Sequence, residues 1–326
     1  MKNKLQKLFD DIVLNPTLRQ AILHPDAPNK DPFYKGCLDF VSYQRNLYPD
    51  DETFKQEGFM IGSPWHGNAE KAPILFLSSN PAITPRCFFP RWHPAEAPQD
   101  ERFSLGGLTV GGILTYLDGE GREESVKNFI GPEDIMHYLV HRFQTTRISS
   151  HGSLNVWVVD SEGRRQPKRN AKGSEANVQF WNRIRDIMGC LLGIKDKSPE
   201  NTRLLMKHVL STEIIPFGSM NQYGVTAPML RYCWKTFTQP LLDACCAEVF
   251  VLLGAKVRDV FCQNLTDSEC GRAVNAFKTG GIYFYNCGNM ERKVVSMPHP
   301  RLMKKEEFES KDFFGSLKKD LQSCIG

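Results

Sequence analysis

The chain has 326 residues, enough for one large domain or two modest ones with ample core. Its 41% hydrophobic and 24% charged residues describe an ordinary globular protein, and a net charge of +4 fits a polyanionic partner without requiring one. No apolar run is long enough to cross a bilayer, which excludes a helical membrane protein.

Met1 to Lys7 leads into Asp10-Asp11 with no uninterrupted apolar core, so no secretory signal is expected and the default location is cytoplasmic. Cys190, Cys233, Cys245 and Cys246 sit in apolar surroundings and read as small buried hydrophobes. Cys262, Cys270 and Cys287 are too unevenly spaced for a zinc or iron–sulfur motif, so no metal is expected. No obligatory protein partner is evident.

Leu5, Leu8, Phe9, Ile12 and Val13 recur at helical spacing and predict an amphipathic first helix, ended by Asn15-Pro16. A short helix over 17–23 and a Pro-, Asp- and aromatic-rich stretch, including Phe33 and Tyr34, complete a helical lead-in. This gives an N-terminal extension over residues 1–60, wrapped on a main domain over 61–326.

Ala72-Pro73-Ile74-Leu75-Phe76-Leu77 lacks polar alternation and predicts a strand buried on both faces. It stops in Ser78-Ser79-Asn80-Pro81. In an open α/β sheet, ligands sit beyond the carboxyl ends of strands, so this tip is a natural place for chemistry. The plainer alternative is a strand-ending turn. A Pro-punctuated loop follows, dense in aromatic and basic residues: Arg86, Phe88, Phe89, Arg91, Trp92 and His93.

Leu154 to Val159 is a strand candidate. Arg164, Arg165, Lys168, Arg169 and Lys172 come next with no acidic residue among them, in an insertion near 150–175. Such a run is either a solvated loop or a phosphate-backbone contact. Val178, Trp181, Ile184, Ile187, Met188, Leu191 and Leu192 form an apolar helical face closed by Gly193, read as core. His208 to Phe217 is a second buried strand, and Thr226 caps a helix starting near Pro228 that Pro240 kinks or splits. Glu248 to Gly254 is a third strand, followed by a helix over 255–261. Lys293 to Met297 is a fourth, running into Pro298-His299-Pro300-Arg301, and Phe313, Leu317 and Leu321 mark a closing helix. Strands separated by helices predict a three-layer α/β/α sandwich around a mainly parallel, four-stranded sheet.

Four segments in order carry a resemblance: Leu77-Ser78-Ser79-Asn80-Pro81; Glu213 with Ser219 and Gly224; Val249 to Gly254; and Met297-Pro298-His299-Pro300. Together they resemble the uracil-DNA glycosylase superfamily over residues 60–305. The resemblance implies a DNA partner, no cofactor, and hydrolysis of the bond between a flipped-out base and its deoxyribose, leaving an abasic site. That cleavage puts positive charge on the sugar and negative charge on the base, so the enzyme must hold a water below C1′ and stabilise the leaving group.

By position in the family pattern, Asn80 orients the water, Ser79 lies beside the base and His299 donates to the departing base. Phe88 or Phe89 stacks on it. Arg301, Leu302 and Met303 fall in the loop that enters the minor groove in relatives, with Leu302 or Met303 as the wedge. The family often has Ser where Arg301 stands. Arg164, Arg165, Lys168 and Arg169 are then assigned to DNA. No lysine stands at a motif position, so no Schiff-base lyase step is expected.

Uracil-removing relatives carry Asn at the end of the second strand, where this chain has Thr212-Glu213. An ionised carboxylate only accepts, so it repels O4 of uracil and accepts from the N4 amino group of cytosine. The expected target is a modified cytosine, such as glucosylated hydroxymethylcytosine in phage DNA, a mark that phage-defence glycosylases of this superfamily use. The alternatives are a uracil or mismatch repair glycosylase, or a catalytically inactive relative that binds modified DNA. For Glu213 itself the alternative is a buried pair with an arginine.

Overall fold

The computed structural model describes residues 2–13, 32–45, 65–79, 145–159, 165–216 and 225–300, with residues 15, 17, 21, 26 and 28 individually. Helices α1 (Lys2–Val13) and α2 (Pro32–Arg45) open the chain. Strand β1 (Ile74–Ser78) follows, then a ribbon of β2 (Thr145–Ile148), β3 (Leu154–Val159) and β4 (Arg165–Pro167). Next come α3 (Gln179–Leu192), α4 (Pro199–Lys207), β5 (Val209–Glu213), α5 (Ala227–Cys233) and α6 (Gln239–Ala244). Finally β6 (Val249–Leu253), α7 (Ala255–Gln263), α8 (Asp267–Lys278), β7 (Tyr283–Cys287) and β8 (Met290–Met297) lead to Pro300.

The main sheet has five strands in the order β5-β1-β6-β8-β7. The four expected strands are its parallel members, and β7 adds an antiparallel edge, so the expected count of four is corrected to five. Strand β7 lacks the continuous apolar run of β1 and β6. It alternates, with Tyr283 and Cys287 buried and Phe284 and Asn286 exposed, as an edge strand does. Strand β3 forms where expected but belongs to a separate antiparallel sheet, β2-β3-β4.

Helices pack on both faces of the main sheet. Leu75, Leu77, Leu210, Phe250, Leu252 and Val294 share one core with α1, α2 and α5 to α8. The alternate residues Ile74, Phe76, Val209, Val251 and Val295 share a second core with Trp181, Ile184, Ile187, Met188 and Leu191 of α3. The result is a mixed α/β fold compatible with an α/β/α sandwich.

Local chemistry sets the helix ends. Thr226 accepts from Met229 N at the start of α5, and Gly193, at φ 73°, closes α3. Pro240 has no N–H to continue the ladder, and the chain widens into a π turn over Trp234–Thr238 before α6 resumes. The expected split at Pro240 takes this form. The segment 17–23 lies largely, and the closing helix wholly, outside the described residues. Cys37, Cys233, Cys245, Cys262 and Cys287 are buried. No helix among the described residues is long and apolar enough to cross a membrane.

Candidate functional site

The chain leaves β1 for β5 on one side and leaves β6 for β8 on the other, while β1 and β6 are neighbours. Their carboxyl ends therefore flank the point where the winding reverses, which opens a crevice in sheets of this kind. Ser78-Ser79 from β1, Leu253-Gly254 from β6, Glu213 from β5 and Met297-Pro298-His299 from β8 meet this rim. Backbone bonds fix the tips to one another: Ile214 N to Ser78 O and Ile215 N to Ser79 O, both 2.9 Å, and Gly254 N to Met297 O at 2.8 Å.

Ser79, Glu213 and His299 are thus brought to one edge. Glu213 lies directly opposite Ser78 in the β1–β5 register. Strands β1 and β8 are separated by β6 alone, two interstrand spacings or about 10 Å. Gly254 takes φ +93° in the turn from β6 into α7, and a β-carbon there would lie 3.8 Å from His299 Cβ. Asn80, Phe88, Phe89, Arg164, Arg301, Leu302 and Met303 lie outside the described residues.

One face of the rim changes character at the strand ends. Along β1 the buried side chains run Ile74, Phe76, Ser78, and along β5 they run Val209, Ser211, Glu213. Ser78 and Ser211 are buried, and Glu213 is half-buried with its Oε2 shielded from solvent. Polar atoms collected at the end of an apolar layer suit a ligand with hydrogen-bonding edges.

Two residues that sequence reasoning passed over complete this face. His66 bridges to the free edge of β5, donating to Ser211 O at 2.7 Å and accepting from Ser211 N at 2.8 Å. Its ring meets Trp181 edge-on with centroids 5.1 Å apart, and Trp181 meets Phe180 in the same way at 5.1 Å. Phe180 in turn lies 5.8 Å from the His299 ring, tilted by 34°. A chain of four contacting rings therefore runs from His66 beside β5, through Trp181 in the core, to His299 after β8. His66 carried no signal, being one residue in a loop before β1. Phe180 stood beside an apolar helical stripe read as core, and only its place in the first turn of α3 exposes it to the rim.

From Arg165 on, the described part of the basic run belongs to β4 and the turn that follows it. Arg165 lies in β4, paired with Val159. Lys168 is half-buried, and Arg169 and Lys172 are exposed. Arg169 donates to Gly173 O at 2.7 Å, while the Asn170 side chain accepts from Lys172 N and Ser174 N. The ribbon is clamped to α3: Leu154 N donates to Asn182 Oδ1 at 3.0 Å, Asn182 Nδ2 to Leu154 O at 2.8 Å, and Val178 N to the same carbonyl at 2.8 Å.

The buried thiols are held protonated. Burial pushes Cys245 and Cys262 up to about 11, and Cys287 rises further through burial and its hydrogen bond to the Asp243 carboxylate. These sulfurs are poor nucleophiles at neutral pH. Among the described residues no group of His, Cys, Asp and Glu is arranged to hold a metal. No family model matches the sequence, and no curated protein matches it significantly.

Proposed function

We propose that this chain is a monofunctional DNA glycosylase of the uracil-DNA glycosylase type, acting on a flipped-out modified cytosine. The observation that carries the reading is the convergence of Ser79 and His299 on one carboxyl rim, two strands apart, with Glu213 beside Ser78. Asn80 follows Ser79 directly in the chain. The distance of about 10 Å between the tips of β1 and β8, across the end of β6, matches the reach of a sugar–base unit lying over the rim, with a water on one side of C1′ and a hydrogen-bond donor at the base.

In this mechanism the glycosidic bond breaks largely before the water adds, and the Asn80 amide aligns that water. His299 donates to the oxygen that gains negative charge as the base leaves. Glu213 accepts from the N4 amino group, which uracil lacks. Lys168, Arg169 and Lys172 contact phosphates, leaving the ribbon to position the duplex without reading it.

The test is incubation with DNAs carrying cytosine, hydroxymethylcytosine, glucosylated hydroxymethylcytosine or uracil, with mass spectrometry of the freed base. Release of a modified cytosine, abolished in Asn80→Ala and His299→Ala, supports the reading. Preferential release of uracil points to a repair enzyme instead, and binding with no base freed from any of them points to a recognition protein.

A further inference from the structure

We propose that Phe180 is a positioning residue for His299, holding the imidazole in the plane from which it meets the departing base. The role of His299 rests on the glycosylase reading; the contact between the rings does not. Pro298 and Pro300 flank His299 and restrict its backbone, since a residue before proline is confined to extended conformations. Neither proline constrains the ring. Phe180 meets that ring at 5.8 Å between centroids with a 34° tilt, a separation within the range of favourable ring pairs.

Phe180 is itself held rigidly. Trp181 beside it is only 7% exposed and packs in the second core, while three hydrogen bonds tie Val178 and Asn182 to Leu154. The first turn of α3 cannot drift without breaking them. Phe180 is half-buried where the core-facing residues of the same helix are fully buried; it packs against the second core and its ring also meets His299. Its placement is what orienting a neighbouring imidazole demands: a fixed backbone and a flat apolar face.

Two readouts test this in the full chain. With selectively labelled histidine, Phe180→Ala should remove the ring-current shift from the His299 ring protons and leave it in Phe180→Tyr. In single-turnover base release, Phe180→Ala should lower the rate about tenfold with substrate binding little changed, the loss expected when one side chain must be ordered anew. Phe180→Tyr should restore the rate, and in a His299→Ala background Phe180→Ala should cost nothing more. Unchanged His299 resonances, or an equal cost with and without His299, overturns the proposal. If the unmodified chain frees no base from any DNA, the glycosylase reading fails, and NOEs decide alone: a His299 ring that keeps its NOE pattern to Gly254 in Phe180→Ala is not oriented by Phe180.

Discussion

Arg292 lies on β8 only 2% exposed, with Nη2 donating to the Cys245 carbonyl at 2.9 Å and its guanidinium carbon 5.8 Å from the Phe250 ring centroid. Its Nε and Nη1 are buried with no acceptor among the described residues. Replacing it with methionine keeps a long side chain against Phe250 and removes the charge. The substitution forfeits one charge-assisted hydrogen bond, about 1.5–3 kcal/mol, and a desolvated cation–ring contact of about 1–2 kcal/mol. It also removes two unsatisfied donors at about 1–3 kcal/mol each, together with the desolvation of a buried charge. The balance favours methionine, and we expect Arg292→Met to gain about 1–3 kcal/mol in urea unfolding with an unchanged slope. Arg292→Lys, which keeps the charge but not the reach to Cys245, should lose stability. A methionine variant less stable than the parent by more than about 1 kcal/mol would show instead that the guanidinium is better satisfied than these contacts allow.

Gly67, at φ +92°, would place a β-carbon 2.0 Å from Val209 O, so Gly67→Ala should cost about 2–4 kcal/mol in thermal unfolding and loosen the His66 bridge; a parental melting temperature would contradict this. Glu213→Gln keeps the shape but not the charge, and base release from modified cytosine should fall about 10- to 100-fold, the worth of one charge-assisted bond. Full activity would remove Glu213 from base reading. Burial raises Cys245 and Cys262 from 9.0 to about 11, so between those values the unfolded chain has lost protons that the native chain keeps. Stability should therefore fall as pH climbs from 9 to 11, and Cys245→Ala should flatten that slope in denaturant titrations.

Strands β1 and β6 were legible because they are covered on both faces and so written as apolar runs, Ile74 to Leu77 and Val249 to Leu253. Strands β5 and β8 carry shorter apolar pieces, Val209-Leu210 and Val294-Val295. Strand β7 escaped because an edge strand exposes alternate residues, and Tyr-Phe-Tyr-Asn-Cys reads equally as a loop. Helix α4 escaped as well: its Ser198–Pro199 start is a recognisable cap, but its short sequence buries only Thr202 and Leu205. At the rim, Glu213 and His299 could be found because Glu213 lies in a strand that the sequence predicts and His299 just behind one. His66 and Phe180 could not, since what brings them together is the pairing of a loop with the β5 edge and the angle at which α3 enters, both set by contacts distant in sequence.

The paired bonds between Asn182 and Leu154 make the ribbon and the first turn of α3 a single mechanical part. A chain trimmed of residues 145–178 would retain every parallel strand, yet Phe180 would lose the anchor that presents it to the imidazole. The ribbon is accordingly a strut for the rim, and shortening it should be felt at the far end of α3's opening turn before anything else in the molecule gives way.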